Sequence, residues 1–316
     1  MKRLFGLFVL CCLTALAVTP ASAAYPDKPI RLIVPFAPGD AIDNTARVLG
    51  ERMRQVLGQP VVVQNIAGGG GAVGIAEAKK SPADGYTLAV VSTGAMTAGP
   101  LISNSGFTPA DFTPVAQLVT MPLAVAVGEG SPYTTMQELV EAGKTKELTF
   151  STPGASTKQR IAMTGFAKDN GIQIVHVAGK SGMDAATKAM TGEVDFVITG
   201  APVFEALAKS GKLRVLAVGA PERVDYLPGT PTFRELGYKD IDQLWFGLIV
   251  RKEVPADVLA TLEKAVADAV SQQETKDLYT QLRYTDGYLD GPAFAAVIEA
   301  NLAEHAVILK ELGLIK

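Results

Sequence analysis

The residues best suited to chemistry in this sequence lie in glycine- and hydroxyl-rich loops that follow short apolar segments. The clearest example is Arg31–Asn44, where the buried-strand pattern Ile30–Val34 ends in a loop rich in proline and glycine. Asp40 or Asp43 is suited to cap the helix that follows, which should run to about Leu57. Such a loop places free backbone N–H groups at the carboxyl end of a sheet, where ligands bind in open α/β folds.

The segment Gly69–Gly74 fits the pattern G-x-G-x-x-G between a predicted strand and a predicted helix. A dinucleotide site of this type also requires an acidic residue about twenty positions later, to bind the ribose. The next strand instead ends at Ser92-Thr93 without an acid. We therefore disfavour a dinucleotide cofactor. Two interpretations stay open: a close approach of Gly70 and Gly71 to another ligand, or an ordinary flexible loop.

The segment Ser151–Thr157 carries several hydroxyl groups and a glycine directly before a predicted helix. Backbone N–H groups and the positive end of the helix dipole would suit an anion there. The simpler interpretation is an ordinary Ser/Thr helix cap. The segment Ser92–Gly94 allows the same two interpretations. Lys158 and Lys180 are the cations of these loops, and each could be a ligand contact or a solvated surface lysine.

The sequence offers little to a catalytic mechanism. It contains neither G-x-S-x-G nor S-x-x-K, the patterns of two kinds of serine nucleophile. The two histidines, His176 in an apolar strand and His305 on a late helix, are in settings typical of structural histidines. Glu304 precedes His305 without the spacing of a zinc-binding H-E-x-x-H motif. We therefore predict that the protein is not an enzyme and that it binds neither a cofactor nor a metal.

The first 23 residues have the features of a cleavable secretory signal peptide. A basic start, Met1–Arg3, precedes the apolar segment Leu4–Val18 and the A-x-A site Ala21–Ala23. We predict cleavage after Ala23 and export of the protein. The alternative, a membrane anchor, is disfavoured because the apolar segment is short for a membrane span. Both cysteines of the chain lie in this segment, so no disulfide or thiolate metal site is expected after cleavage.

The charge of the remaining chain limits the classes of partner that it can bind, and its length indicates how many domains it contains. Removal of Lys2 and Arg3 reduces the 29 basic residues to 27 against 32 acidic ones, a net charge of about −5. This balance argues against binding to nucleic acid or to an anionic membrane surface. Without its first 23 residues the 316-residue chain keeps about 293, enough for two domains with cores of their own.

The order of the predicted elements indicates two α/β lobes. Strands and helices alternate as β-α-β-α-β from Ile30 to about Val91, and the same alternation returns between residues 148 and 218. We predict a mixed, mostly parallel sheet flanked by helices in each lobe. Lobe 1 would comprise residues 24–124 and 245–316, and lobe 2 residues 125–244. The cleft between two such lobes is a common place for a small-molecule site.

Several segments together resemble the substrate-binding proteins of tripartite tricarboxylate transporters, the Bug family of periplasmic solute receptors. The resemblance extends over essentially the whole chain after the signal peptide, because the segments recur in order and at suitable spacing. These segments are Tyr25–Ile30, Val34–Gly39, Ala83–Leu88, Ala217–Val218, Pro231–Gly237 and Trp245–Leu248.

This resemblance implies a two-lobed receptor of the periplasmic-binding-protein (Venus-flytrap, type II-like) fold. It would close on a small organic carboxylate, such as a di- or tricarboxylate or an aromatic acid. It would then deliver this ligand to the membrane permease subunits of a tripartite tricarboxylate transporter. We expect a periplasmic monomer. A sensor that presents its closed form to a membrane kinase is an alternative function, and an exported hydrolase is a weaker one.

Members of this family typically bind the ligand's carboxylates with backbone amides and hydroxyl groups rather than with arginine. One end of the ligand would contact the Phe36–Asp43 loop and Ser92-Thr93, and the other the Ser156-Thr157 segment and the loop at Gly179. The candidate ligand-binding residues are accordingly Phe36, Pro38, Gly39, Asp40, Ala41, Ile42, Asp43, Gly70, Gly71, Ser92, Thr93, Thr152, Gly154, Ser156, Thr157, Gly179, Lys180 and Thr199.

Two of these residues depart from the family pattern in a way that changes charge. Asp40 stands in a segment where the family usually has more glycine, and Thr199 occupies a position that is frequently acidic. An acid at position 40 would repel a nearby ligand carboxylate, whereas Thr199 removes a negative charge. We therefore hypothesise that the polarity of the pocket is altered.

Overall fold

The structure is a computed structural model that describes residues 25–315 except positions 156, 242 and 312. The predicted signal peptide lies outside the described residues. The strands are β1 (Ile30–Val34), β2 (Val61–Asn65), β3 (Thr87–Ser92), β4 (Phe112–Met121), β5 (Leu123–Gly128), β6 (Leu148–Thr152), β7 (Ile174–Ala178), β8 (Phe196–Gly200), β9 (Leu213–Gly219), β10 (Leu244–Arg251) and β11 (Thr285–Asp290). The α-helices are α1 (Ala41–Leu57), α2 (Ala72–Lys80), α3 (Gly99–Ile102), α4 (Met136–Thr145), α5 (Lys158–Asn170), α6 (Gly182–Met190), α7 (Glu205–Lys209), α8 (Ala256–Ser271), α9 (Gln273–Gln281) and α10 (Gly291–Glu311).

The strands form two mixed sheets, and helices pack against both. The first sheet has the strand order β11–β4–β10–β3–β1–β2, and the second has the order β7–β6–β8–β5–β9. β1 pairs in parallel with β2 and β3, and β6 pairs in parallel with β7 and β8. The expected fold class, two α/β lobes with mixed sheets, is confirmed by this arrangement.

β10 in the first sheet and β5 in the second each run opposite to both neighbouring strands, and β11 at the edge of the first sheet is also antiparallel to its neighbour β4. β10 is antiparallel to β3 and β4, and β5 is antiparallel to β8 and β9. The chain passes from β4 in the first sheet through Pro122 to β5 in the second, and it returns from β9 to β10. β5 and β10 are thus the strands that the chain forms directly after it changes sheets.

The first strand–helix unit forms where the hydrophobic pattern predicts it. Residues Ile30–Val34 are buried except for Arg31, and α1 buries Ala46, Leu49 and Met53 on one face. The helix ends at Gly58, whose φ of 67° is the left-handed conformation that glycine adopts without steric cost. The loop between β1 and α1 is thereby fixed at the carboxyl edge of the first sheet.

The sequence pattern does not predict β11, since its residues are mostly polar and include Gly287. It forms at the edge of the first sheet, where it pairs with β4 through a register shift between Asp286 and Leu289. The side chain of Gln117 on β4 donates a hydrogen bond of 2.6 Å to the carbonyl of Gly287. Pairing with β4, rather than the local sequence, therefore produces this strand.

The last helices pack on the first sheet. α8 contacts α1 and β4, and α10 contacts β4 and the π-helical turn Gly94–Ala98. By length and composition α10 could cross a membrane, but it buries Phe294, Ile298 and Leu309 in this protein. α10 also contacts α5, which belongs to the second half of the molecule.

Candidate functional site

A cavity of about 540 Å³ lies between the two halves of the molecule. This volume is in the range of sites for small organic molecules. Its walls include the loops that follow β1 and β3 in the first sheet and the loops that follow β6, β7 and β8 in the second. Residues distant in the sequence meet here because each sheet presents the carboxyl ends of these strands to the cavity.

Many of the predicted ligand-binding residues line this cavity. They are Phe36, Gly39, Asp40, Ala41, Ile42, Gly70, Ser92, Gly154, Thr157, Lys180 and Thr199. The described lining does not include Pro38, Asp43, Gly71, Thr93, Thr152 or Gly179, and Ser156 lies outside the described residues. The structure thus brings together the loops that the sequence predicts at the site. Several residues of these loops contact other parts of the protein instead of lining the cavity.

The residues outside the lining have identifiable structural contacts. The Oγ1 of Thr93 accepts a hydrogen bond of 2.9 Å from the backbone N–H of Trp245, which ties β3 to β10. The backbone N–H of Gly179 donates to the carbonyl of Thr152 at 2.8 Å, and a Cβ at Gly179 would lie 2.9 Å from that oxygen. Pro38 is exposed. These residues hold or border the loops whose other members reach the cavity.

Asp43 holds the loop between β1 and α1 in place. Its buried carboxylate accepts hydrogen bonds from the backbone N–H of Gly39 (2.9 Å), the Nε of Arg47 (2.9 Å) and the Nδ2 of Asn65 (2.8 Å). Burial alone would raise the pKa of Asp43, but these donors outweigh burial and hold that pKa below its usual range. Asp43 is therefore an anchor of the loop rather than part of the cavity surface.

Asp40 differs from Asp43 because its carboxylate has no such donors. It occupies the N-cap position of α1 without making a side-chain cap hydrogen bond, and no described residue donates to it or pairs with it. Burial and the nearby charge of Asp43 raise the pKa of Asp40. Burial raises the pKa of Tyr284 to about 12, and the charge of Asp40 adds to that shift. Asp40 and Tyr284 therefore lie together on the cavity wall.

The opposite wall contains the first turns of two helices. Thr157 caps α5 by accepting a hydrogen bond of 3.4 Å from the N–H of Arg160, and Ser181 caps α6 by accepting one of 3.1 Å from the N–H of Asp184. First-turn N–H groups of a helix have no acceptor within the helix, and they carry the positive end of its dipole. This wall is therefore suited to an anion.

Two hydroxyl groups complete the polar surface of the cavity. Ser92, at the end of β3, is 8% exposed, and Thr199, on β8, is 2% exposed. Neither hydroxyl forms a hydrogen bond with a described residue. Both residues line the cavity, and neither hydroxyl oxygen is among the enclosed side-chain atoms without a partner, so both hydroxyls reach the cavity and are suited to bind a polar group there.

No sequence pattern marks the apolar part of the lining as a set of ligand contacts. Met121 and Leu244 lie where the chain changes sheets, and Phe246 and Met183 extend the apolar surface on either side. Met121 and Leu244 face each other in the β4–β10 register, although 123 positions separate them in the sequence. No local pattern indicates this pairing, since it depends on how β10 returns to the first sheet.

Lys158 is a buried residue rather than a solvated surface lysine, with 3% of its surface exposed. Its Nζ lies 3.7 Å from a carboxylate oxygen of Glu304 and 3.3 Å from the Nε2 of His305. The Nδ1 of His305 lies 2.8 Å from the Oγ1 of Thr97, and that hydroxyl also donates to the carbonyl of Thr93 at 2.6 Å. These contacts favour the neutral tautomer of His305 with its proton on Nδ1.

Both histidines are structural, as the sequence predicts. Burial, together with the charge of Lys158, lowers the pKa of His305 to about 3. Burial, together with the charge of Arg160, lowers the pKa of His176 to about 4. The Nε2 of His176 lies 2.8 Å from the Oγ1 of Thr152, below the cavity wall.

An ion pair that no sequence pattern predicts joins the two halves at the edge of the cavity. Glu205, at the start of α7, accepts two hydrogen bonds of 2.9 Å from the guanidinium of Arg283, which follows α9. Arg283 has a positive φ of 62°, unusual for a residue with a side chain. Its guanidinium also lies 5.3 Å from the ring centroid of Tyr226.

Comparison with known sequences identifies a family and individual relatives. Residues 45–314 match the profile of the TctC family, described as "Tripartite tricarboxylate transporter family receptor". A UPF0065 protein of Bordetella bronchiseptica is 35% identical over 226 residues, which are 71% of this chain and 68% of that protein. The protein BugT of Bordetella pertussis is 30% identical over 324 residues, which cover 99% of this chain and 98% of BugT.

A solved structure extends the similarity to three dimensions. The structure of the periplasmic binding protein BugD is 28% identical to this chain and superposes with a TM-score of 0.80. The match covers 92% of this chain and 100% of the BugD chain. The similarity therefore includes both sheets and the loops between them.

Proposed function

This chain belongs to the family of tripartite tricarboxylate transporter receptors, and from that membership we propose that it captures a small organic carboxylate between its two lobes. The family consists of solute-binding receptors and not of enzymes, so the resemblance drawn from the sequence is confirmed and the hydrolase alternative is wrong. The receptors of this family are periplasmic. We propose that this chain reaches the periplasm after cleavage of its signal peptide behind Ala23.

The observation that carries the proposal is the polar surface of the cavity. The hydroxyl groups of Ser92 and Thr199 reach the cavity without a protein partner among the described residues, beside the first turns of α5 and α6. Each contact of an anion with an exposed helix terminus contributes about 0.3–1 kcal/mol. A micromolar ligand requires about 8 kcal/mol, so several contacts must act together in a cavity that excludes water.

Lobe closure is the proposed mechanism of capture. Residues 24–124 and 245–316 would move as one lobe and residues 125–244 as the other, because the chain changes sheets only near these positions. A ligand that contacts both walls binds the closed form more tightly than the open form, and it shifts the equilibrium toward closure. The proposed contacts are the predicted residues of the cavity lining, together with Ser156 from the sequence.

The closed form would be the species that membrane permease subunits of a tripartite tricarboxylate transporter recognise. We propose that the receptor acts as a monomer, because each chain contains both walls of its cavity. The ligand would be released when the permease favours the open form.

A thermal-shift screen tests the proposal directly. The protein without its signal peptide would be screened against mono-, di- and tricarboxylates, aromatic acids and neutral analogues of the same size. A ligand at one hundred times its Kd adds about 2.7 kcal/mol to the apparent stability, enough for a clear rise in Tm. The strongest hit would then be titrated by calorimetry against variants of the cavity.

The informative variant is Thr199→Val, which removes the hydroxyl group and keeps the shape of the side chain. A hydrogen bond to a charged group contributes about 1.5–3 kcal/mol, so we expect the Kd to rise about tenfold or more with little change in Tm. The matched control is Thr145→Val, at an exposed position on α4 in the same lobe. Stabilisation only by neutral compounds, or an unchanged Kd in Thr199→Val, would contradict the proposed site.

A further inference from the structure

The two walls of the cavity differ in the sign of the ligand charge that they favour. On the wall of the first sheet, Asp40 provides a half-buried carboxylate that no described residue pairs with. It stands at the N-terminus of α1, where the positive dipole end of that helix would otherwise be available to an anion. Asp43, in the same helical turn, pairs with Arg47 and lies outside the described lining, so the negative charge of this wall comes from Asp40. This wall therefore disfavours a ligand carboxylate and favours a donor or a cation.

The wall of the second sheet has the opposite preference. The first turns of α5 and α6 reach the cavity here, and Gly182 lies at the first position of α6. Lys180 stands on the loop just before α6, and its ammonium group forms no ion pair or hydrogen bond with a described residue. The backbone N–H of Lys180 is used within the loop, where it donates to Asp184 at 2.9 Å. A carboxylate is the natural partner of this wall.

The other charged residues of the lining do not cancel this asymmetry. The carboxylate of Glu205 and the guanidinium of Arg283 pair with each other through two hydrogen bonds of 2.9 Å. The ammonium of Lys158 is directed away from the cavity's ligand space toward Glu304 and His305, and its charge is paired with the carboxylate of Glu304. When every charged group of the described lining is counted, the first wall thus keeps the negative charge of Asp40 and the second wall keeps its preference for an anion.

We propose that the preferred ligand carries both a carboxylate and a protonated nitrogen, as amino acids and related amino carboxylates do. Its carboxylate contacts the first turns of α5 and α6 and Lys180, and its nitrogen contacts Asp40. The apolar surface of Met121, Leu244 and Phe246 lies along the part of the ligand between these groups. The inference rests on the proposed function and narrows it from carboxylates in general to carboxylates with a cationic end.

Matched ligand pairs that differ only in the ammonium group test this inference. The probes are glutamate with glutarate, and phenylalanine with 3-phenylpropionate, each titrated by calorimetry at the same pH and ionic strength. We expect the ammonium-bearing member of at least one pair to bind about tenfold or more tightly than its partner. A buried or half-buried charge pair with hydrogen bonding supplies a preference of this size.

Two variants separate the contributions of the two walls. Asp40→Asn keeps a residue that is equally favourable at a helix N-cap, and it should abolish the preference by weakening only the ammonium-bearing ligand. Lys180→Gln should weaken both members of a pair by a similar factor, because both carry the carboxylate. Asp40→Asn should not lower Tm, since the carboxylate has no protein partner to lose.

The possible outcomes distinguish the inference from the proposed function. Equal or tighter binding of the simple acids, or an unchanged preference in Asp40→Asn, would overturn the inference and leave the carboxylate receptor standing. Failure of every carboxylate in the wider screen would overturn the proposed function, and this inference with it. A preference for the ammonium-bearing ligand that Asp40→Asn removes would establish both.

Discussion

We predict that this receptor loses stability as the pH falls from 7.5 to 5, because its two histidines, one buried and one half-buried, are neutral in the folded protein. Protonation of His305 in the folded protein would place a second N–H, on Nε2, against the ammonium of Lys158 at 3.3 Å. His176 is half-buried and lies near the positive charge of Arg160. Both histidines therefore stay neutral when folded, whereas an unfolded chain protonates them near their ordinary pKa of about 6.5.

The size of the effect follows from these pKa values. The folded pKa values are about 3 for His305 and about 4 for His176, so neither residue is protonated appreciably in the folded protein at pH 5. The unfolded chain binds both protons there, which stabilises it relative to the folded protein by about 2 kcal/mol through His305 and, because solvent screens the half-buried His176, by about 1 kcal/mol through His176. The contribution of the histidines to stability is therefore present above about pH 6.5, and the stability falls by about 3 kcal/mol as the pH drops to 5. Carboxylates with lowered pKa values, such as Glu205 at about 2, lose their contribution chiefly below pH 4.5.

The assay is urea unfolding at 25 °C, followed by circular dichroism at pH 7.5, 6.5, 5.5 and 5.0. We would compare the wild type with His305→Gln, His176→Gln and the double variant, each judged by its change in free energy of unfolding with pH. The His176→Gln variant, which keeps His305, should lose about 2 kcal/mol over this range, the His305→Gln variant about 1 kcal/mol, and the double variant the least. The two histidines serve as matched controls for each other, because the chain has only two.

The absolute stability of a variant at pH 7.5 does not affect this comparison, because only the difference between two pH values is used. A wild type that changes by less than about 1 kcal/mol would refute the conclusion that both imidazoles stay neutral in the folded protein. A His305→Gln variant with the wild-type pH dependence would show that His305 accepts a proton in the folded state.

Three further predictions concern the loops and the ion pair that border the cavity. Asp43→Ala should lower the stability by about 1–3 kcal/mol and weaken ligand binding, because the N–H of Gly39 and two side-chain donors lose their acceptor; urea unfolding and calorimetry measure the two effects. Gly71→Ala should destabilise the protein by about 1–2 kcal/mol, because its φ of 104° disfavours a side chain and its Cβ would lie 2.9 Å from that of Ala95; an unchanged Tm would contradict this. Glu205→Gln should weaken the pair with Arg283 and increase the radius of gyration of the ligand-free protein in X-ray scattering, and an unchanged radius would mean that the pair does not hold the lobes together.

Much of the fold follows from local sequence patterns. The segment Ile30–Val34 is a buried strand, and Ala46, Leu49 and Met53 form the buried face of α1, because hydrophobic spacing alone selects the side that packs. The loops of the cavity follow from the same patterns, since glycine, proline and hydroxyl residues end the strands at one edge of each sheet. Their convergence is a consequence of alternating strands and helices.

The sequence predicts which loops form the cavity, but it does not predict whether each residue of these loops lines the cavity or supports the loop. Asp40 and Asp43 stand three positions apart in one short segment, and either is suited to cap α1. Asp43 turns inward to three hydrogen-bond donors, whereas Asp40 lines the cavity without a partner. The difference depends on Asn65, which β2 brings beside the loop from 22 residues away.

Tertiary structure alone decides the features that depend on two distant segments. The polar strand β11 forms only because β4 offers an unpaired edge, and the pairing of Met121 with Leu244 depends on the return of the chain to the first sheet. The contact of Glu205 with Arg283 joins residues 78 positions apart in different halves of the molecule. Hydrophobic periodicity and loop composition are properties of neighbouring residues, so they determine which elements form. The packing of the two halves determines which charges and surfaces meet across the cleft.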